Sequence, residues 1–225
     1  MFLDTANIEE IRKAMKTGVF KGVTTNPTIL LNERTPRAEK VREILEEGVP
    51  FIYVQTIGET VEERLEDCET ILALDGEGRI GLKIPMDIAG LEVVKQIREK
   101  YPDCKILGTA VYSADQGIFA ALAGCNSIAP YINRMSNNDL DPYKAVSIIR
   151  DFIDERQLNC EILGASFKNT NQVIQTLASG AHSVTIPYNI FEKMMNKELA
   201  VSAIETFNRH GEMLKEKYQI IAAAP

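Results

Sequence analysis

The sequence is short of metal ligands and of redox chemistry. His182 and His210 are its only imidazoles, and neither has a ligand neighbour at useful spacing, which argues against a zinc mechanism. Cys68, Cys104, Cys125 and Cys160 stand far apart with no C-x-x-C pair, well below the density of a disulfide scaffold, and are expected to be reduced core thiols. Met1-Phe2-Leu3-Asp4 lacks the basic and then apolar start of a secretory signal, and no apolar run approaches the ~18 residues a spanning helix needs. The expectation is a soluble, cytoplasmic chain with no membrane partner. Positive charge is also in deficit: 25 Lys+Arg against 32 Asp+Glu leave −7, a field that repels nucleic acid. Glycine signatures are missing as well. Asp4-Thr5-Ala6-Asn7 stands where a dinucleotide fingerprint would follow the first strand, and no G-x-x-x-x-G-K-[ST] loop occurs. Neither cofactor nor metal is expected.

What is present is ordinary globular composition, 45% hydrophobic and 25% charged over 225 residues, a length at which α/β barrels form one domain. Short β-type runs alternate with helix-period segments from end to end. Strands are predicted at 2–5, 22–25, 51–56, 80–84, 105–111, 127–131, 161–166 and 183–186. Helices are predicted at 8–15, 38–47, 61–74, 91–101, 114–123, 143–157 and 170–179, with further helical stretches at 189–196 and 201–218. Leu91, Val94 and Ile97 mark one apolar stripe with charges opposite, the pattern of a helix laid on a sheet. Gly18, Gly48, Gly124 and Gly180 fall where helices should stop. Eight βα units predict a single (β/α)8 TIM barrel over residues 1–225, with chemistry gathered where strands end. The helix at 201–218 is longer than closing the last unit requires, which leaves it available as an extra helix docking on a neighbouring subunit.

Polar residues stand at or near the ends of seven predicted strands: Asp4, Asn26, Gln55, Lys83, Thr109, Tyr131 and Ser166. Converging on one mouth, they suit a small polar ligand such as a sugar. Lys83 is the sharpest signal, since Ile80-Gly81-Leu82-Lys83-Ile84-Pro85 is an apolar strand where a solvated lysine is out of place. At the ordinary pKa of about 10.4 only ~0.04% of an amine is neutral at pH 7, and full burial can lower a lysine's pKa by up to about 3–5 units. A neutral amine attacks a ketone to form an imine, which serves as an electron sink for breaking the adjacent carbon–carbon bond. The alternative is a lysine that snorkels to the strand end. Asp4 reads either as a catalytic carboxylate or, with Asn7, as part of a helix start. Thr24-Thr25-Asn26-Pro27 reads as a turn. Arg134 and Ser166-Phe167-Lys168 form a candidate anion site, because the loop after strand seven commonly binds phosphate in such barrels. Glu62, Glu63, Glu66, Asp67 and Glu69 read as an exposed helix face.

Six segments in order, Asp4-Thr5-Ala6-Asn7, Gly22-Val23-Thr24-Thr25-Asn26-Pro27, Lys83-Ile84-Pro85, Gly108-Thr109-Ala110-Val111-Tyr112, Ala129-Pro130-Tyr131-Ile132-Asn133-Arg134 and Ala165-Ser166-Phe167-Lys168, resemble the small transaldolase and fructose-6-phosphate aldolase family. The resemblance implies a metal-free class I aldolase with Lys83 as the Schiff-base lysine. It implies further that Asp4 and Asn26, with Thr25 beside them, handle substrate hydroxyls and proton transfer. Gln55, Thr109 and Tyr131 would hold a catalytic water, and Arg134, Ser166 and Lys168 the phosphate. The family's transaldolases carry glutamate and phenylalanine where this chain has Gln55 and Tyr131, so the pair resembles the aldolase branch. The loop 135–141 lacks the glycines of that branch. The implied reaction is cleavage of fructose 6-phosphate to dihydroxyacetone and glyceraldehyde 3-phosphate. Transfer of the dihydroxyacetone unit between sugar phosphates, a transaldolase of the pentose phosphate pathway, is the alternative, and a non-catalytic sugar-phosphate binder a remote one. The resemblance also implies a homo-oligomer, a decamer of two stacked pentamers with C-terminal helices exchanged.

Overall fold

The computed structural model describes residues 1–218, with side chains through Lys215. Eight parallel strands close into a barrel in chain order: β1 (Phe2–Asp4), β2 (Gly22–Thr24), β3 (Ile52–Gln55), β4 (Ile80–Pro85), β5 (Ile106–Val111), β6 (Ser127–Pro130), β7 (Glu161–Gly164) and β8 (Ser183–Ile186). The β8–β1 register, Phe2 opposite Thr185 and Leu3 opposite Ile186, makes the closure. The (β/α)8 expectation holds. Most strands are a residue or two shorter than predicted, stopping before Thr5, Thr25, Thr56, Tyr131 and Ser166, where the βα loops begin; Tyr131 keeps one isolated bridge to Ala165.

The helices that follow are α1 (Ile8–Met15), α2 (Pro27–Asn32), α3 (Arg37–Glu46), α4 (Val61–Leu72), α5 (Ile88–Lys100), α6 (Ala114–Leu122), α7 (Ile132–Ser136), α8 (Pro142–Glu155), α9 (Thr170–Ala178), α10 (Tyr188–Met195) and α11 (Glu198–Tyr218). In α8, Ala145, Val146, Ile149 and Ile153 are buried at spacings of one, three and four, while Lys144, Asp151 and Asp154 face water. Each fully buried Ile or Leu of such a stripe contributes about 1.5–3 kcal/mol. Gly18, Gly48, Gly124 and Gly180 end their helices at φ of +69°, +76°, +98° and +102°, a conformation in which a Cβ is penalised.

Two short helices escape the periodicity. Thr24-Thr25-Asn26-Pro27 is not only a turn: Asn26 N-caps α2 by accepting from the Ile29 N–H, and Pro27 takes the first helical position, where it has no donor to waste. α7, five residues long, shows no repeat to detect. α5 begins at Ile88 rather than 91, capped by Asp87, and its buried stripe is Gly90, Val93, Val94 and Ile97, with Leu91 half-buried. Gly90 is what obscured that first turn. A Cβ there would stand 1.9 Å from the Pro85 carbonyl, so only glycine lets the helix close down on the end of β4.

The acidic face of α4 also needs correction. Glu63 completes a capping box with Thr60, and Asp67 accepts from Arg37, from the Ile57 N–H at 2.9 Å and from Thr56, pinning the β3–α4 loop. Only Glu62 and Glu66 are simply exposed; Glu69, also exposed, pairs with Lys100. Cys68, Cys125 and Cys160 are buried free thiols, pushed by burial to about 11, about 12 and about 12; Cys104 is only half-buried.

Met1–Ile190 forms one compact unit and a second begins at Phe191. Within the second, α11 carries Leu199, Val201, Ile204 and Phe207 exposed. No described helix is long and apolar enough to cross a membrane.

Candidate active site

Strand alternation sorts the barrel residues into two sets. Outward positions such as Leu3, Val23, Val54 and Leu82 are buried against helices, and the inward set contains Asp4, Thr24, Tyr53, Gln55, Lys83, Leu107, Thr109, Ala129 and Tyr131. Tyr53, Leu107, Ala129 and Leu163, with Phe2 and Phe51 packed on them, make an apolar interior. Phe51 and Tyr53 fit because Gly81 opposite has no side chain: a Cβ there would meet their rings at 2.6–2.8 Å.

Lys83 stands within the barrel, 3% exposed, with Nζ donating to the Thr25 carbonyl at 3.1 Å. That partner is a neutral dipole, not a carboxylate. Gln55 is directly opposite Lys83 across the β3–β4 register, and its Oε1 is buried with no hydrogen-bond partner. An unpaired buried carbonyl costs about 1–3 kcal/mol, which marks Gln55 as waiting for a donor. Asp4 is half-buried at the end of β1, where its carboxylate accepts from the Thr24 hydroxyl at 2.7 Å; Thr24 in turn meets Thr185 at 2.6 Å. Burial raises the Asp4 pKa above the ordinary aspartate range, while the nearby Lys83 charge and the Thr24 hydrogen bond pull it back. Thr109 and Tyr131 share a hydrogen bond of 2.9 Å between hydroxyls.

The candidate anion residues form a second group. Arg134 on α7 is exposed, donates to the Tyr112 hydroxyl at 3.0 Å and lies 5.1 Å from the Tyr131 ring centroid. The start of α7 is laced to the β7–α9 loop, with the Ile132 N–H on the Ala165 carbonyl and the Asn133 N–H on the Ser166 carbonyl. Ser166 holds a left-handed φ of +64°, unusual for a residue with a Cβ. Gln172 ties the two segments together, donating to the Asn133 side chain and accepting from the Lys168 N–H. The Lys168 side chain is exposed.

The ten predicted residues therefore sit in the C-terminal halves of strands or in the loops just beyond, except Arg134, which lies on α7. Two have their side chains committed to the backbone: the Asn26 side-chain oxygen caps α2, and the Thr25 hydroxyl donates to the Tyr53 carbonyl, so Thr25 meets Lys83 through its own carbonyl. Sequence reasoning passed over Thr24, Thr185 and Tyr112. Counting back by two from Asn26 finds Thr24, and alternation within Ser183–Ile186 puts Thr185 on one face with Ser183, nearer the strand's end. Tyr112 had no such signal, because a bulge in β5 changes its face.

The chain has relatives of two descriptions. It is 32% identical over 212 residues to a probable transaldolase 2 of Bacillus anthracis, covering 92% of this chain and 94% of that one. Over 210 residues it is 36% identical to a probable fructose-6-phosphate aldolase of Streptococcus pneumoniae, covering 92% and 93%. A probable transaldolase of Kosmotoga olearia is 33% identical over 207 residues, covering 92% and 93%. The family model described as Transaldolase/Fructose-6-phosphate aldolase matches residues 1–223. With a closed eight-stranded barrel, an interior lysine and these matches along nearly its whole length, the chain belongs to the transaldolase/fructose-6-phosphate aldolase family.

Proposed function

We propose that the protein is a class I aldolase that reversibly cleaves fructose 6-phosphate to dihydroxyacetone and glyceraldehyde 3-phosphate. The observation that carries this reading is Lys83: an amine 3% exposed inside a barrel, held by a backbone carbonyl and facing an unpaired glutamine oxygen. Its Nζ adds to the C2 ketone, and loss of water gives the iminium. Removal of the C4 hydroxyl proton, through Tyr131 and a bound water, breaks the C3–C4 bond. The electron pair moves into the iminium to leave an enamine, and glyceraldehyde 3-phosphate departs. Protonation of the enamine carbon and hydrolysis of the imine release dihydroxyacetone and restore Lys83. Asp4 and Asn26 handle substrate hydroxyls; Gln55, Thr109 and Tyr131 hold the water; Arg134, Ser166 and Lys168 take the phosphate.

A second reading, transfer of the same enamine to an acceptor aldose phosphate, is favoured by the relatives named as transaldolases. Gln55 and Tyr131 support the lyase. Incubation with fructose 6-phosphate in the absence of erythrose 4-phosphate separates the two. Release of free dihydroxyacetone is expected, and strict dependence on the acceptor would assign the transferase. Borohydride added with the ketose should leave a reduced adduct on Lys83, detectable by mass. Lys83→Met should lose the adduct and about 10³-fold or more of turnover. A Lys83→Met variant of undiminished rate would remove both readings.

The same reading carries cytoplasmic sugar metabolism and a homo-oligomer, a decamer of two pentamers in which α11 is exchanged. The exposed Val201, Ile204 and Phe207 on that helix support the assembly.

A further inference from the structure

We propose that Tyr112 is a positioning residue that aims Arg134 at the phosphate of the substrate, a role that rests on the sugar-phosphate reading above.

Positions 109 and 112 are three apart, so strict alternation would turn them to opposite faces of β5. They instead meet the same residue: the Thr109 hydroxyl is 2.9 Å from the Tyr131 hydroxyl, and the Tyr112 ring lies edge-on to the Tyr131 ring at 5.4 Å between centroids. The cause is a break in the ladder. The β5–β6 register shifts between Gly108 and Val111, and Ala110 there takes φ +56°, a left-handed conformation that disfavours a Cβ. Bulges next to sites re-aim side chains, and this one brings the Tyr112 hydroxyl to the Arg134 guanidinium.

The tyrosine's backbone is itself anchored to the residue that follows the strand of the reactive amine. Its N–H donates to the Gln116 side-chain oxygen at 2.9 Å, and the Gln116 amide donates to the Met86 carbonyl at 3.0 Å, three residues past Lys83. A chain of short contacts thus runs from Met86, just past β4, through Gln116 and Tyr112 to Arg134. An exposed arginine otherwise samples many rotamers. Tyr112 occupies one guanidinium N–H and the Tyr131 ring faces the cation, so the remaining N–H groups are presented at a fixed distance from Lys83.

The test is Tyr112→Phe, which keeps the ring and removes the hydroxyl. Condensation of dihydroxyacetone is followed with glyceraldehyde 3-phosphate and with unphosphorylated glyceraldehyde. The preference in kcat/KM for the phosphorylated acceptor should fall about tenfold or more, as expected for a lost hydrogen bond to a charged group, with the loss in KM rather than kcat. In an Arg134→Ala background the same substitution should change that preference no further, because its effect passes through Arg134. A preference kept in Tyr112→Phe, or lowered equally without Arg134, overturns the proposal while leaving the aldolase reading intact. A wild-type enzyme that turns over neither acceptor and gives no borohydride adduct removes that reading and this inference with it.

Discussion

Asp4 shows how one carboxyl can matter to both rate and stability. Burial holds its folded-state pKa above the ordinary aspartate value, against the pull of Lys83 and Thr24. A carboxyl raised in this way binds its proton more tightly when folded. It therefore subtracts stability as pH climbs from the ordinary aspartate range through its raised value, and the subtraction is complete above that. Asp4→Asn keeps an oxygen to accept from Thr24 and removes the titration. Its melting temperature relative to wild type should gain more at about pH 7 than at about pH 4. An equal difference at both would show that the carboxyl does not titrate within the fold. The residues of this site were legible one at a time, since Lys83 in an apolar strand and Asp4 at a strand end are anomalies of composition. Their partners were not: that the Lys83 amine meets the Thr25 carbonyl, or that Gln55 has no partner, depends on the register of β2, β3 and β4.

At the scale of elements, the β4–α5 junction is held from two sides. Arg64 of α4 donates to both Asp87 oxygens, at 2.5 and 2.8 Å, while Asp87 also caps α5 through the Gly90 N–H at 2.7 Å. Arg64 draws the Asp87 carboxyl below the usual range. Adding a methyl at Gly90 would drive it into the Pro85 carbonyl. Gly90→Ala should destabilise by about 1–3 kcal/mol, measured as a lower urea midpoint at unchanged slope. It should also raise KM, since Lys83 lies on the strand that α5 would displace. A midpoint equal to wild type would mean that the helix shifts without strain. Long helices were readable because three or more turns repeat the pattern. α2 and α7 were not, because a helix of five or six residues has too little period to stand out, and α7 has no side-chain cap to announce it.

At the scale of the molecule, α11 carries a row of apolar side chains out of keeping with a chain of net charge −7, among them Leu199 at 87% and Phe207 at 69% exposure. Val201, Ile204 and Phe207 recur three apart along one side. Ile204→Glu combined with Phe207→Glu should break the proposed assembly into smaller species in sedimentation velocity, while borohydride trapping at Lys83 persists. An unchanged sedimentation coefficient would place the subunit contacts elsewhere. The tail 219–225 lies outside the described residues.

By itself the sequence determined the barrel and the chemistry-bearing types. Eight alternations of period 2 and period 3.6 leave few other closures, and a lysine among apolar neighbours is costly unless it is used. Only the tertiary structure decided which face each side chain takes. A one-residue bulge in β5 reverses alternation beyond it, and parallel register alone sets Gln55 against Lys83. Hydrogen bonds between residues twenty or more positions apart, such as Arg134 to Tyr112 and Thr24 to Thr185, are consequences of closure that no local pattern encodes.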